Sequence, residues 1–384
     1  MDDFAALRRR FALLSQVTYL NSGSYGALAD DVRSAFTNYL DDRLAVGANW
    51  DVWVAKSEAV RRAMAAILEV DADEIAVTTS TSAGLNAVAS ALDFTGARDT
   101  VVTTDFEFPT NAQIWHAQAP RGARVVHVRA DADGYIPAER FAEAIDERTL
   151  LVAMTHVCFR NGARLDVEAV ARIAHERGAL LLLDCYQSVG SRTVHPRELG
   201  VDILVGGMYK YLLATAGIAF LYVRSGLLAA LRPTHSGWFA QADIAAMDIS
   251  GNHPSPTARR FEAGSPPVVN CYAAEAALAI IGELGTGAIE QRVRELSGAC
   301  MDRLAAIGWP AVTPRDDARR GAMVAIPSRD SAGLDAALAE RGIMTSHRDA
   351  NLRAAFHFYN NEADVDAFIA AMTELKPSFA PKLP

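Results

Sequence analysis

Four stretches of this sequence place chemically capable side chains where a ligand could meet them. Asp184 closes the apolar run Ala179-Leu180-Leu181-Leu182-Leu183, and Gln187 follows three positions later. A carboxylate in that place needs a partner, because burying an unpaired charge is costly. Lys210 stands in Gly206-Gly207-Met208-Tyr209-Lys210-Tyr211, just past a second apolar run and between two aromatic rings. Burial disfavours the ammonium, so such a lysine tends toward the neutral amine that attacks carbonyl carbon. Thr78-Thr79-Ser80-Thr81-Ser82-Ala83-Gly84 offers hydroxyls and backbone N–H groups where a strand hands over to a helix, the makings of an anion site. Asp105-Phe106-Glu107-Phe108-Pro109-Thr110-Asn111 adds a flat ring, Phe108, beyond another strand. Each stretch also has an ordinary structural reading: helix caps, a turn aspartate, a lysine lying along tyrosines, a core phenylalanine. Their shared position gives them weight, since ligands of parallel α/β sheets gather beyond the carboxyl ends of the strands.

The elements that must position these residues are legible as short apolar runs alternating with amphipathic segments from about 75 to 224. Asp166 can cap a helix carrying Val167, Val170, Ala171 and Ala174 on one face; Gly178 ends it, and the leucine run to Asp184 follows as a buried parallel strand. The same logic predicts strands near 75–78, 100–104, 124–128, 149–155, 202–206 and 217–223, and a helix with Leu85, Val88, Ala89 and Leu92 on its inner face. After Pro254 and Pro266-Pro267 the rhythm changes to one long helical stretch over 271–306. A smaller α+β unit follows, with strands near 322–326 and 351–356 and helices at 331–340 and around Val365, Phe368, Ile369 and Met372.

An anion cradle, a stacking ring, an acid with a glutamine three residues on, and a lysine are together the parts a pyridoxal phosphate (PLP) enzyme needs. On these residues the chain resembles the class V aminotransferase group of fold type I PLP enzymes over nearly its whole length. That group includes cysteine desulfurases, kynureninases, isopenicillin N epimerase-like proteins and transaminases. The resemblance implies an α/β fold with a large PLP-binding domain on a mostly parallel sheet, 18–258, and a smaller α+β domain, 259–384, on which residues 1–17 pack. It implies that Lys210 forms the Schiff base, that Asp184 keeps the pyridine nitrogen protonated, and that Gln187 lies beside the phenolic oxygen. Thr81, Ser82 and Tyr209 would contact the phosphate, and Phe108 would stack on the ring. Ser265, in Glu262-Ala263-Gly264-Ser265-Pro266, resembles a residue that reaches the phosphate of the neighbouring subunit, which implies a homodimer with shared sites. Arg353, in Asn351-Leu352-Arg353-Ala354-Ala355-Phe356-His357-Phe358-Tyr359-Asn360, matches the carboxylate-binding arginine, and its planar fork suits a carboxylate. Asn21 and Trp238, with Phe239, His235, Tyr25 and Phe159, are candidates for the walls of the substrate pocket.

The expected reaction is therefore on an α-amino acid, through an external aldimine and an α-carbanion, with Lys210 as the base. Aminotransferase chemistry ranks first and a kynureninase-like hydrolase or β-lyase second. Tyr209-Lys210-Tyr211-Leu212, Phe108-Pro109-Thr110 and Ser236-Gly237-Trp238-Phe239 look like kynureninase motifs, but kynureninases have asparagine near position 265, where this chain has Ser265. Cysteine desulfurases need a nucleophilic cysteine on a loop ahead of the arginine; Arg341 to His347 contains none and no cysteine follows Cys300, so that activity is not expected.

Composition narrows the rest. The 384 residues are 51% hydrophobic and 22% charged, enough for a large core and against disorder. With 37 basic and 46 acidic residues the net charge is -9, and the only basic tract is Arg8-Arg9-Arg10, so a nucleic-acid partner is not expected. Cys158, Cys185, Cys271 and Cys300 form no Cys-x-x-Cys pair, which argues against a zinc ribbon, a redox dithiol or a disulfide framework, and no metal is expected. The amino terminus does not read as a secretory signal and no apolar run spans a bilayer, so a cytoplasmic protein with no membrane partner is expected.

Overall fold

The computed structural model describes residues 2–381; Met1 and residues 382–384, at the outer ends of the expected 1–17 segment and small domain, lie outside it. In chain order the strands are β1 (Thr18–Tyr19), β2 (Ile75–Thr78), β3 (Thr100–Thr104), β4 (Arg124–Val128), β5 (Thr149–Thr155), β6 (Leu180–Asp184), β7 (Ile203–Gly207) and β8 (Ala219–Val223), then β9 (Met323–Pro327), β10 (Ile343–Met344), β11 (Ser346–Arg348) and β12 (Asn351–Ala355). Seven of them form one sheet in the order β2-β8-β7-β6-β5-β3-β4. All its pairings are parallel except those of β8, which runs antiparallel to β2 and β7.

This order explains why distant motifs meet. Because β2 and β7 both oppose β8, they run the same way, and Thr78 and Gly207 both pair with Ala219. Thr155 pairs with Asp184 across β5 and β6. The carboxyl ends of β2, β5, β6 and β7 thus share one edge of the sheet, where the strand-end rule places a ligand. Helices cover the faces, as the near-continuous apolar strands require. In the helix Val167–Glu176, Asp166 accepts from the Ala169 N–H (3.1 Å), Val167, Val170, Ala171 and Ala174 are buried, and Gly178 turns the chain at φ +70° into β6.

Three further strands, β11-β12-β9, form an antiparallel sheet with its own core around Leu296, Met301, Leu304, Leu352, Phe356 and Phe368. β1 pairs with β10 alone. The single helix expected over 271–306 is two, Val268–Leu284 and Thr286–Ala306, bent by 78° at Gly285. Gly285 takes φ +77°, a conformation glycine enters without steric penalty, and a new helix starts at Thr286. Cys271, Ala274, Ala277 and Ile281 of the first helix belong to the core of the seven-stranded sheet, whereas Leu296, Cys300 and Leu304 of the second belong to the other core. By packing, the change of core falls within Thr286–Ala306, later than the 258/259 boundary expected from sequence. The amino-terminal segment lies across both units: Leu7, Phe11 and Leu14 join the larger core, while Arg8 pairs with Asp364 (2.7 Å). No single helix among the described residues is long and apolar enough to cross a membrane.

Candidate active site

At the shared strand edge lies a cavity of ≈ 180 Å³ lined by Ser80, Thr81, Ser82, Phe108, Thr155, Phe159, Asp184, Tyr186, Gln187, Tyr209 and Lys210, among others. Lys210 leaves β7 through a turn in which its carbonyl accepts from Leu213 N–H (3.1 Å), with Leu213 at φ +61°. The turn is pressed from outside by Gly26, whose N–H donates to Tyr209 O (2.8 Å). A Cβ on Gly26 would collide with the Lys210 carbonyl, so glycine is what lets the two backbones meet. Likewise a side chain on Gly207 would overlap the Tyr186 ring, which instead lies beneath the lysine with Nζ 4.4 Å from its centroid.

Lys210 is nearly buried, and burial pulls its ammonium down to about 8; Asp184 pulls the other way, and Arg353 and Arg348 assist the lowering. The Asp184 carboxyl is buried too. Oδ1 accepts the Tyr186 N–H (2.9 Å), and burial pushes the group up to about 6 against the pull of that hydrogen bond and of Lys210. The two charges sense each other without closing an ion pair, which leaves both free for something between them.

The other walls carry unused polar atoms. Ser80 caps the helix Thr81–Ala91 by accepting from Ala83 N–H (3.0 Å), and the first-turn N–H groups have no intrahelical partners. Thr81 Oγ1 is buried with no partner. Gln187 donates to Gly23 O (3.0 Å), but its Oε1 is buried and unpartnered. Tyr209 stacks on Tyr25 at 4.8 Å. Phe108 is 46% exposed and meets Phe159 edge-on at 5.2 Å.

Arg353 reaches the same region from β12. Its Nη1 donates to Phe159 O (2.7 Å) and its Nη2 to Ser346 Oγ (3.0 Å) and Ser24 Oγ (3.2 Å). It is 4% exposed, its Nε has no partner, and no carboxylate among the described residues pairs with it. A buried guanidinium without an anion is costly, and the cost is offset when a ligand supplies one. By contrast, a larger cleft of ≈ 390 Å³ lined by Arg294, Arg315 and Arg320 has each arginine already paired, with Asp317 or Asp302.

Not every expected residue converges here. Trp238 donates from Nε1 to Ile244 O (2.7 Å), packs on Trp50 and lines a separate cleft with Met247 and Ile249. Ser265 is exposed and outside this cavity. Asn21 bridges to Ala355 in the small sheet with its Oδ1 buried and unpartnered; of the proposed walls only Phe159 lines the cavity. Sequence reasoning passed over Thr155, Tyr186, Ser24, Ser346 and Glu107; Thr155, Tyr186 and Glu107 carried the same strand-end signal that singled out Asp184.

Residues 52–368 match the family described as Aminotransferase class-V. The chain belongs to the class V aminotransferase family. It is 34% identical over 93% of its length to an uncharacterized aminotransferase, YcbU, of Bacillus subtilis (94% of that protein), and 30% identical over 97% to a kynureninase of Deinococcus radiodurans (93% of that protein). Other relatives are named probable cysteine desulfurase. Among solved structures it is similar to the apo cysteine desulfurase of Thermococcus onnurineus, with a TM-score of 0.87, 25% identity and 97% of each chain covered. The class V enzyme thus has the fold type I architecture and uses PLP. Its cavity fits that cofactor on the atoms it holds: an aromatic face, unpartnered Thr81 Oγ1 and Gln187 Oε1, an underbonded buried carboxylate and a lysine shifted toward its neutral form.

Proposed function

We propose that this class V enzyme acts on an α-amino acid, with transamination as its reaction and kynureninase-like hydrolysis or β-cleavage as the second reading. The observation that carries it is Arg353, a buried guanidinium without a carboxylate partner that donates to the carbonyl of the cavity-lining Phe159 and helps lower Lys210 to about 8. In this reading Thr81, Ser82, Tyr209 and the helix start would hold the PLP phosphate, Phe108 would cover the ring, Asp184 would hold its nitrogen, Gln187 would serve its phenolic oxygen, and Lys210 would be the covalent anchor. Bound PLP supplies the electron sink that makes an α proton acidic.

The chain's own residues do the rest. Arg353 grips the substrate carboxylate through its fork, which fixes the α carbon over Lys210. Lys210 Nζ, free of its anchor and with its affinity for protons reduced by burial, takes the α proton. Asp184 stays ionised above about pH 6 and so stabilises positive charge opposite it. All four cysteines are buried, and the segment 341–347 ahead of Arg353 contains none, which favours a reaction that does not pass sulfur to a protein thiol, although the relatives and solved structures named cysteine desulfurase do not support excluding that activity. The kynureninase similarity and the Tyr209-Lys210-Tyr211-Leu212 motif keep side-chain cleavage as the second reading.

The homodimer belongs to the same proposal. Leu40, Leu44, Val46 and Trp50 are exposed, Trp50 touches Trp238, and the loop after Trp238 exposes Met247 and Ile249. Such apolar exposure suits an interface that would also bring a partner's Ser265 to the phosphate.

The test is to load the protein with PLP and offer L-amino acids, kynurenine and cysteine among them, one at a time. Release of the 2-oxo acid with its side chain intact, the amino group staying on the cofactor, supports transamination; release of a side-chain fragment together with alanine, or with pyruvate and ammonia, supports the cleavage reading. No visible PLP band in the wild type, or an unchanged band in Lys210→Ala, refutes the assignment of Lys210.

A further inference from the structure

We propose that Glu107 is a positioning residue for the cofactor, fixing the ring of Phe108 and leaving Asp184 as the single negative charge behind it. This rests on the roles given above to Phe108 and Asp184. Glu107 directly precedes Phe108 and is 7% exposed. Its Oε1 accepts the Thr155 N–H (2.9 Å) and the Thr104 hydroxyl, and its Oε2 accepts Asn111 Nδ2. Asn111 Oδ1 in turn accepts Trp115 Nε1 (2.9 Å). One carboxyl therefore ties the end of β3, the end of β5 and the first turn of the helix Pro109–His116 together. Phe108 sits inside this knot without a polar handle of its own, so its ring is aimed by the backbone that Glu107 holds.

The charge argument is separate. Thr155, whose N–H Glu107 accepts, is the residue paired with Asp184, so the two carboxyls stand one strand apart in the same desolvated corner. No lysine, arginine or histidine among the described residues forms an ion pair with Glu107; Asp184 is the charged group that faces it. Burial, with Asp184 adding to it, holds Glu107 up at about 8 despite its three hydrogen bonds. Two adjacent carboxyls out of water cannot both ionise cheaply, and here Glu107 keeps the proton so that Asp184 can lose its own. The protonated acid can donate to the Thr104 hydroxyl oxygen, which has a second lone pair besides the one that accepts the Phe106 N–H (3.2 Å).

The test compares wild type, Glu107→Gln and Glu107→Ala by PLP affinity, by the visible circular dichroism of bound PLP, and by the stability of PLP-free protein across neutral pH. Glutamine keeps a neutral planar group and an acceptor for Thr155 but turns its amide NH2 toward Asn111 Nδ2 and loses that one hydrogen bond, so its PLP affinity should stay within about threefold of wild type, while alanine, which loses all three, should lose about tenfold or more. The dichroism should persist with glutamine and weaken with alanine. Unfolded Glu107 titrates near 4.5 and folded Glu107 near 8, so wild-type stability relative to the glutamine variant should fall as pH rises between those values and level off above them. A glutamine variant as weak for PLP as alanine, or a stability gap that does not change with pH, overturns the inference. If the alanine variant does not fold, the glutamine affinity and the pH trend decide alone. Wild type that binds PLP no better than Phe108→Ala and Asp184→Ala would instead overturn the roles beneath it.

Discussion

Two buried aspartates of the same sheet, Asp184 at the carboxyl end of β6 and Asp202 just before β7, are treated in opposite ways. Asp202 is saturated: Arg224 Nε and Nη2 donate to Oδ1 (2.9 and 2.8 Å), and Oδ2 meets His175 Nε2 and the Leu181 N–H (2.8 and 2.9 Å). Asp184, equally deep, has one backbone N–H and a lysine out of ion-pair reach, and burial pushes it to about 6. A carboxylate that only holds strands together is given every partner it can take. One that must hold a ligand is left short, at a cost to the folded protein.

The comparison breaks most readily by substitution. Lys210→Ala should lower turnover by about 10²–10⁴-fold, measured with saturating PLP and amino acid, since it removes both anchor and base. Asp184→Ala should follow at about 10²–10³-fold in kcat with little loss of stability, whereas Asp202→Ala should cost about 2–4 kcal/mol in denaturant unfolding and leave the rate per folded molecule unchanged. If both aspartates behaved alike in the two assays, the contrast would fail. Arg353→Ala should raise KM by about tenfold to a hundredfold while PLP affinity stays as it was, measured by spectral titration. The smallest effect is in pH: PLP uptake by the apoprotein should accelerate as Lys210 loses its proton and level off near pH 8, where an ordinary lysine would keep accelerating past pH 10. On the stability side, Asp184 is raised from 3.8 to about 6, so Asp184→Asn should gain on wild type as pH rises between those values.

The sheet and the ends of its strands were legible because fully buried parallel strands are continuous apolar runs, and the polar residue that follows such a run has few places to go. Asp184, Lys210, Thr81, Ser82, Phe108, Gln187 and Tyr209 therefore meet around one cavity. The break at Gly285 was missed because the Ala-rich pattern continues through it; the only local sign was a glycine followed by a threonine that can open a helix. Trp238 and Ser265 lie away from this cavity because their loops follow the outside of the fold, where sequence spacing says nothing about distance. Glu107 hides between two phenylalanines, yet a carboxyl flanked by apolar residues just beyond a strand is the same anomaly that drew attention to Asp184.

The turn around Lys210 has a consequence for how the molecule comes into being. Gly26 N–H donates to Tyr209 O, and His357, whose Nδ1 accepts from Phe358 N–H, donates from Nε2 to Tyr211 O (2.8 Å). One short turn is thus gripped by segments from near both ends of the chain. Closing contacts of such sequence separation is slow, so the lysine should reach its final place only after the sheet has formed and both ends have docked. During refolding, competence to take up PLP should lag behind the recovery of secondary structure, and a chain arrested partway would be compact and catalytically silent.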